Sequence, residues 1–352
     1  MPKIITEKQL DFDDVLIKQQ PSDLRSRSEV DLIAKYKFKY GKPEYQGTPI
    51  MASNMGSIGT FEMAEAFAAN NMFTCIRKYY SLDKWKEFLE DKKDLSNFAV
   101  CCSLKEKYQE TMHQVLEYRP DIEYICIDIA NGGINVFQDL IKKIRAQYPE
   151  KVIIAGNVCT EELTKKLILA GADIVKIGIG PGSACTTRKQ TGIGRPQLSA
   201  IIGCAEVAHK LGAHIIADGG CQEPGHIGTA FAGGADFVML GGMLSGTTET
   251  HGAIINISGK RYKRYYGDSS GHKEVNSVGA NGVSEGRKML IEHKGPISVI
   301  IKDILGGVRS TCTYTNSPNI SDLSDNAEFY LINSSHKLNT SIVNDSISIE
   351  EK

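Results

Sequence analysis

Eight short apolar runs recur along the chain, and they constrain its fold more than any other sequence feature. They are nearly continuous in apolar, β-favouring residues, as expected for strands that are buried on both faces. The runs are Thr48–Ser53, Met72–Ile76, Phe98–Ser103, Tyr124–Asn131, Val152–Val158, Ile174–Gly182, His214–Gly220 and Phe237–Met243. Helix-like stretches lie between them, among them Thr60–Asn70, Glu161–Ala170 and Gln222–Ala232. Eight strand–helix units predict an α/β protein with a (β/α)8 TIM barrel in a single domain.

A doubly wound sheet is the alternative architecture. Its dinucleotide fingerprint is missing, because the nearest match, Gly178–Gly182, has the wrong spacing and contains a proline. A chain of 352 residues is long enough for one large barrel or for two ordinary domains. The number of strand-like runs favours the barrel.

Three regions fall outside the repeating pattern. Residues 1–47 are expected to lead into a barrel domain that spans residues 48–330. Lys260–Lys294 is polar and rich in glycine, which predicts a long mobile segment after the eighth strand. Residues 331–352 are rich in Ser, Asn and Thr and poor in apolar side chains, so a disordered tail is predicted there.

Composition argues against several classes of protein. A formal net charge of -1 gives no overall field that would attract nucleic acid or an anionic membrane. No run approaches the roughly 18 apolar residues of a membrane span, and the first residues form no apolar signal core. The nine cysteines contain no CxxC pair, so a reduced chain in the cytoplasm is expected. The eight histidines lack the paired spacing of a zinc site.

Paired glycines end two of the predicted strands. Asp218-Gly219-Gly220 ends the seventh strand and Gly241-Gly242 ends the eighth. The active site of a TIM barrel is formed by loops at the carboxyl ends of the strands, and phosphate sites often use these two loops. Glycines there let backbone N–H groups approach a phosphate closely. One pair alone would favour a tight turn, whereas two pairs in these loops favour a phosphate site. Asp218 is suited to bind ribose hydroxyls, and a helix-capping role is nearly as well supported.

A candidate nucleophile follows the sixth run. Cys185 is surrounded by Gly, Ser and Thr in the loop Gly178–Arg188, unlike the cysteines that lie within apolar runs. A nearby cation and backbone dipoles favour the reactive thiolate. The alternative, a small buried apolar residue, is equally supported by the residue alone. Carbonyl groups of this loop, at Gly180, Gly182 and Cys185, are also suited to a hard monovalent cation.

Three charged side chains are candidates for further roles. Asp128 ends the fourth strand and is expected at the same face of the barrel as Cys185. Glu285 lies in the polar segment, where a carboxylate near a hydroxyl such as Thr187 is able to relay a proton. For an isolated glutamate, however, simple solvation is the more common outcome. Lys78, just after the second strand, is a candidate anion contact.

Several of these motifs resemble the IMP dehydrogenase/GMP reductase family. The matching segments are the nucleophile loop, an N-terminal motif and two phosphate loops, and they extend from about residue 10 to residue 315. They are Gly180–Arg188 with Thr191–Gly194 and Pro196–Ser199, then Leu10–Leu16, Ala217–Cys221 and Met239–Met243. Within the family, three segments are similar to the reductase branch, namely Ala155–Val158, Asp218–Cys221 and Asp303–Tyr314. The chain also lacks the regulatory insertion and the Arg-Tyr pair of the hydrolytic flap that dehydrogenases carry.

The resemblance implies NADPH-dependent reductive deamination of GMP to IMP and ammonia. It makes Cys185 the nucleophile toward C2 of the guanine ring, with Thr187 and Glu285 acting together in proton transfer. The implied substrate-binding residues are Ser183, Asp218, Gly219, Gly220, Gly241, Gly242, Gly267, Ser269, Ser284 and Gly286. The implied NADPH-binding residues are Lys78, Asp128, Ile129, Ala130, Ile179 and Gly180, with Ser26, Arg27, Ser310 and Thr311 reaching the cofactor of a neighbouring subunit. A potassium ion is implied at Gly180, Gly182, Cys185 and Arg188, as is a homotetramer.

One region departs from the family pattern. Asp268 replaces the methionine of the usual Gly-Met-Ser-Ser motif, and Gly282 replaces an arginine three residues before Glu285. An additional negative charge weakens the approach of an anionic cofactor unless it is paired. The preference between NADPH and NADH is therefore open.

Three other functions are compatible with the sequence. An IMP dehydrogenase would form XMP with NAD. A nucleotide-binding barrel without catalysis would account for the altered stretch near Asp268, although Cys185, Thr187 and Glu285 together argue against it. A flavin-dependent barrel oxidoreductase would carry similar phosphate loops.

Overall fold

The computed structural model describes residues 2–92, 96–267, 286–332 and 346–348. The barrel is preceded by three short strands, β1 (Val15–Ile17), β2 (Ala34–Tyr36) and β3 (Tyr45–Gly47). β2 and β3 pair as an antiparallel hairpin. Tyr45 of this hairpin is fully buried, and its ring centroid lies 5.0 Å from that of Phe237. The hairpin therefore closes the end of the barrel at which the strands begin.

Eight parallel strands form a closed barrel, which confirms the predicted (β/α)8 fold. In chain order they are β4 (Ile50–Ala52), β5 (Phe73–Ile76), β6 (Phe98–Cys102), β7 (Tyr124–Asp128), β8 (Val152–Val158), β9 (Ile174–Ile177), β10 (His214–Asp218) and β11 (Phe237–Leu240). All eight coincide with the predicted runs, but most are shorter. β9, for example, ends at Ile177 rather than Gly182, because Gly178 takes a positive φ of 147° and turns the chain into the loop.

Helices cover the outside of the barrel between the strands. They are α1 (Phe61–Ala68), α2 (Leu82–Leu89), α3 (Glu106–Tyr118), α4 (Asn135–Gln147), α5 (Glu161–Ala170), α6 (Thr187–Thr191), α7 (Gln197–Lys210) and α8 (Pro224–Ala232). The α5 helix has the predicted bounds, since Thr160 caps its first turn and Gly171, with a positive φ, ends it. None of the helices in the described part of the chain is long and apolar enough to cross a membrane.

Alternate residues of the strands fill the barrel interior. Phe73, Tyr124 and Phe237 pack at the amino-terminal end. Above them lie three buried cysteines, Cys75, Cys101 and Cys126, with sulfur atoms within 4.8 Å of one another. These interior side chains are thus fully or almost fully buried up to the layer that carries charged side chains.

The polar segment after β11 contains regular strands at both of its ends. A four-stranded antiparallel sheet is formed by β12 (Ile255–Ile257), β13 (Lys260–Tyr266), β14 (Lys288–Glu292) and a C-terminal strand, Ser346–Ser348. A mobile segment is predicted over Lys260–Lys294 from its glycines and charged residues. Tyr262, Tyr265 and Tyr266 are buried and fix β13 to the barrel. Residues 268–285 lie outside the described part of the chain.

The C-terminal part returns to the barrel wall. α9 (Ile297–Tyr314) packs against α8 and is followed by α10 (Leu323–Asn326) and β15 (Phe329–Leu331). β15 pairs with β1, which joins the two ends of the barrel domain. The predicted tail begins at the last residue of β15, and residues 333–345 and 349–352 lie outside the described residues. The strand Ser346–Ser348, here β16, pairs with β14.

Candidate active site

A cavity of about 420 Å³ opens at the end of the barrel where the strands end. Residues at or just after seven barrel strands, β4 to β10, line it, and Tyr265 and Gly267 enter it from β13 and the residue that follows. This is the face at which TIM barrels carry their active sites. The cavity therefore is the candidate active site.

Cys185 lies in the cavity wall with a hydroxyl beside it. Its sulfur is 3.1 Å from Oγ1 of Thr187, the first residue of α6. The Cys185 backbone N–H donates to the carbonyl of Gly182 at 3.0 Å, which fixes the turn that presents the thiol. All nine cysteines are described, and Cys185 alone lines the cavity. A half-buried thiol next to a hydroxyl is the arrangement expected of an accessible nucleophile with a proton-transfer partner.

The predicted phosphate loops converge beside this cysteine. A Cβ on Gly242 would lie 2.6 Å from Oγ of Ser183, and one on Gly219 would lie 3.2 Å from the backbone nitrogen of Gly182. Side chains at either glycine would therefore clash with the nucleophile loop. Gly220 has a positive φ of 91° and faces Phe12 of the lead-in segment. The glycines bring three loops close enough for backbone N–H groups to bind one anion.

The sequence analysis gave no role to Tyr265, which the structure places at these loops. Its hydroxyl lies 3.5 Å from the position that a Cβ on Gly241 or Gly242 would take, and it hydrogen-bonds with Ser183. Burial raises the pKa of Tyr265 to about 12, so its hydroxyl stays neutral and able to donate. The signal was available in the three tyrosines of Lys260–Tyr266, because aromatic residues are enriched in strands.

Asp128 and Asp218 reach the cavity from the ends of β7 and β10. Both carboxylates contact the ammonium of Lys176, which lies inside the barrel on β9. Asp218 also accepts a hydrogen bond from Nδ2 of Asn157 at 2.8 Å, and Oδ1 of Asn157 is buried without a partner among the described residues. Lys176 is a second residue that the sequence analysis missed. A lysine inside the apolar run of β9 was the available signal, because lysines are rarely buried without a partner.

An aromatic and cationic surface forms the other side of the cavity. Tyr79 and Tyr108 pack edge to face with ring centroids 5.7 Å apart, and Nζ of Lys78 lies 5.3 Å from the centre of the Tyr79 ring. The predicted cofactor residues Asp128, Ile129, Ala130, Ile179 and Gly180 line the same region. Flat aromatic faces next to a cation suit a planar, anionic ligand.

Four predicted cofactor residues lie away from this cavity. Ser26 and Arg27 line a separate groove of about 450 Å³. Ser310 and Thr311 lie on α9, where both hydroxyls donate to carbonyls of the preceding turn. The structure therefore separates these four residues from the other predicted cofactor residues of the same chain.

The predicted potassium loop is held by hydrogen bonds of its own. The carbonyl of Gly182 accepts from Cys185, and the carbonyl of Arg188 accepts from Gly192 at 3.1 Å. The guanidinium of Arg188 donates to the carbonyl of Ile179 in the same loop at 3.3 Å and to the carboxylate of Asp11 at 3.3 Å. Each carbonyl keeps a second lone pair, so the oxygen donor set remains compatible with a monovalent cation.

The predicted site residues in the polar segment are only partly described. Gly267 and Gly286 are the described residues on either side of residues 268–285, and Gly286 forms an antiparallel bridge with Cys185. The carbonyl of Ala184 accepts from Arg287 at 2.9 Å. The ends of the segment are therefore attached to the nucleophile loop. Ser269, Ser284 and Glu285 lie outside the described residues.

Comparison with known proteins assigns the family. Residues 9–341 match the family model described as IMP dehydrogenase / GMP reductase domain. The chain is 47% identical to human GMP reductase 2, with 94% of this chain and 96% of that protein covered. It is 46% identical to human GMP reductase 1, with 96% and 99% covered, and 45% identical to GMP reductase of Ascaris suum, with 94% of each covered.

The chain belongs to the IMP dehydrogenase/GMP reductase family.

A solved structure agrees at the level of the fold. It is a variant of GMP reductase from Trypanosoma brucei in complex with guanosine 5'-monophosphate, and it superposes with a TM-score of 0.81 at 22% identity. The match covers 93% of this chain and 96% of that chain. The barrel of this family member is therefore of the same architecture.

Proposed function

We propose that this member of the family is a GMP reductase, which converts GMP to IMP and ammonia with NADPH. The observation that carries the proposal is the Cys185–Thr187 pair, held in the cavity wall beside the converging glycine loops. This arrangement places a nucleophile next to a site for an anionic group, as a mononucleotide substrate requires. The similarity to proteins named GMP reductase over nearly the whole chain supports the choice of reaction.

The chemistry begins at the sulfur of Cys185. The thiolate forms a bond to C2 of the guanine ring, and the bond from C2 to its exocyclic nitrogen then breaks as ammonia leaves. Thr187 is placed to pass a proton to the leaving nitrogen, with Glu285 as its proposed partner. When bound beside Lys78, Tyr79 and Tyr108, a reduced nicotinamide would supply the hydride that replaces sulfur at C2. Covalent catalysis of this kind divides one difficult substitution into two easier steps.

The nucleotide is proposed to lie across the cavity with its phosphate at the glycine loops. The proposed phosphate and base contacts are Ser183, Gly219, Gly220, Gly241, Gly242, Tyr265, Gly267, Ser269, Ser284 and Gly286. Asp218 is proposed to accept the ribose hydroxyls. Backbone N–H groups and the neutral hydroxyl of Tyr265 suit a phosphate, because they donate hydrogen bonds to its oxygens and carry no negative charge that would repel it.

The aromatic and cationic wall is proposed to hold the nicotinamide cofactor. Lys78, Tyr79 and Tyr108 offer the ring faces and positive charge that a flat phosphorylated ligand needs. The choice of NADPH over NADH, the bound potassium ion, the homotetramer and the cytoplasmic location remain predictions. In a tetramer, the groove at Ser26 and Arg27 is proposed to face the cofactor of a neighbouring subunit, together with Ser310 and Thr311.

A direct assay tests the proposed reaction. When the purified protein is mixed with GMP and NADPH, the absorbance of NADPH should fall, and one ammonia should be released for each NADPH consumed. IMP with NAD should give no XMP, and formation of XMP would instead assign a dehydrogenase. Cys185→Ala should abolish turnover and still bind GMP, because the phosphate and ribose contacts remain. Cys159→Ala, a half-buried cysteine outside the cavity, is the matched control and should keep full activity.

A further inference from the structure

Lys176 is a buried charge at the inner wall of the cavity. It lies between Val175 and Ile177 on β9, and its side chain is only 2% exposed. A lysine in such surroundings is costly unless every donor of the ammonium finds a partner. The groups that contact its ammonium therefore indicate its role.

The ammonium of Lys176 has three partners, and two of them are carboxylates of the proposed site. It forms a short hydrogen bond with Asp128 and lies 3.2 Å from Oδ2 of Asp218. The third partner is Oδ1 of Asn54, at 3.0 Å. Both carboxylates line the cavity, so one buried nitrogen connects the proposed cofactor side to the proposed ribose side.

The two carboxylates depend on this cation. Because both contact the same nitrogen, they lie within the range of roughly 4–6 Å over which like charges repel and disfavour ionisation. Burial acts to raise the pKa of Asp128, but the charges of Lys176 and Lys78 and the hydrogen bonds from Lys176 and Asn54 together lower that pKa. Burial acts to lower the pKa of Lys176, and the carboxylates hold it well above its ordinary value. Among the described residues, the other titratable groups that face this cluster are Lys78, Tyr265, Cys75, Cys102, Cys126 and Cys221.

The hydrogen bonds at Asp218 show which oxygen is left for a ligand. Lys176 and Asn157 both contact Oδ2. Among the described residues this leaves Oδ1 without a protein partner. A carboxylate oxygen accepts hydrogen bonds, so Oδ1 is the atom available to the hydroxyls of a ribose.

We propose that Lys176 is a positioning residue that makes the site select ribonucleotides over deoxyribonucleotides. It does so by holding Asp218 in one orientation beside Asp128. This inference rests on the proposed function, because it takes Asp218 as the ribose acceptor. Removal of the ammonium leaves the two carboxylates to repel each other, so Asp218 turns away and the ribose loses its acceptor.

Binding of two nucleotides by calorimetry tests the proposal. GMP and 2',3'-dideoxy-GMP carry the same base and phosphate, so their affinity ratio isolates the ribose hydroxyls. Lys176→Met should weaken GMP binding by about 10- to 100-fold, the range for a charged hydrogen-bond partner, and should change dideoxy-GMP binding less than about threefold.

Two further variants separate positioning from stability. Lys263 is 3% exposed and its ammonium donates to backbone carbonyls outside the cavity, so Lys263→Met is the matched control and should leave the ratio unchanged. Asp128→Asn combined with Lys176→Met removes both the cation and the repelling charge. It should restore much of the preference for GMP, and it should fold even if the single variant does not.

The outcomes distinguish this inference from the proposed function. Equal weakening of both nucleotides, or a double variant that keeps the loss, would overturn the role of Lys176 alone. A folded parent protein that fails to bind GMP would overturn the proposed function and this inference together. The proposal is supported if Lys176→Met loses the preference for GMP over dideoxy-GMP and the double variant recovers it.

Discussion

At the scale of single residues, Thr187 offers the most direct test of proton transfer. Its hydroxyl is 3.1 Å from the sulfur of Cys185, and general acid–base groups contribute about 10²- to 10⁴-fold to rate. Thr187→Val should lower kcat by at least about 10²-fold with little change in GMP binding, whereas Thr187→Ser should recover most of the rate. Thr191→Val, at the other end of α6, is the control, and single-turnover kinetics provide the measurement. A Thr187→Val enzyme with normal kcat would rule out the relay.

A buried ion pair on the opposite face of the barrel controls stability rather than chemistry. Asp173 is fully buried, accepts from the backbone of Tyr40, Gly41 and Ile153, and pairs with Arg145 at 2.5 Å. Arg145→Met would leave an uncompensated buried charge, so we expect a loss of about 3–5 kcal/mol in the free energy of unfolding.

Urea denaturation of this variant should be compared with that of Lys166→Met. That change removes an exposed pair with Glu162 and should leave the urea midpoint nearly unchanged. Equal midpoints for the two variants would contradict the assignment of Arg145 as a buried partner.

The sequence predicted some site residues and missed others for a physical reason. Cys185 and the glycine pairs were identifiable, because their chemistry depends on local composition at strand ends. Lys176 and Tyr265 act through contacts with residues more than 40 positions away, in Asp128 and Ser183. Such contacts exist only once the barrel is closed, so a linear pattern shows the residue but not its partner.

At the scale of elements, two neighbouring glycines of α9 make a matched experiment. A Cβ on Gly307 would lie 2.4 Å from Cβ of Pro224 on α8, whereas one on Gly306 would meet nothing within 4 Å. Gly307→Ala should therefore separate the two helices and destabilise the protein by about 1–3 kcal/mol. Gly306→Ala should be neutral or stabilise it by up to about 1 kcal/mol through helix propensity.

Thermal denaturation of the two variants measures the difference. Opposite signs for adjacent positions would locate the effect in the α8–α9 contact. If Gly307→Ala melts at or above the temperature of the parent protein, the close approach of these helices is not a source of stability.

Strands were predictable from the sequence where both of their faces are buried. Barrel strands are buried on both faces, so their sequences are continuous apolar runs, and all eight were found. Their ends were placed too late at Gly178 and at similar turns, because a glycine that allows a positive φ looks small and apolar in sequence. β13 was missed because its tyrosines stand among lysines and arginines without a two-residue period, and its pairing with β14 spans 21 intervening residues.

At the scale of the whole molecule, the two ends of the barrel have separate tasks. The carboxyl end carries the nucleophile, the glycine loops and the two aspartates. The amino end is closed by the β2–β3 hairpin, and its polar contacts connect that hairpin to β10. Variants at this end are therefore expected to change stability while leaving the kinetics of the folded protein unaltered.

A cluster at this amino end should make stability depend on pH. Asp236 is 8% exposed and contacts Nε2 of His209 at 2.9 Å and Nδ1 of His214 at 2.8 Å. The hydrogen bond to Asp236 raises the pKa of His209. Burial acts to lower the pKa of His214, but Asp236 outweighs it and raises that pKa as well. The pKa of Asp236 is lowered by the histidines against the effect of its burial.

A histidine with a raised pKa in the folded state stabilises the protein fully below its unfolded pKa of about 6.5, and that contribution is lost as pH rises through the folded value. The aspartate contributes above its unfolded pKa of about 3.9 and loses that contribution as pH falls. The cluster should therefore stabilise most between about pH 4 and pH 6.5. Asp236→Asn should lower Tm by several degrees in this window and by less at pH 8.5, whereas Asp139→Asn, an exposed control, should give parallel curves. If the Tm difference between Asp236→Asn and the parent protein does not change with pH, the cluster stabilises the protein through packing and not through charge.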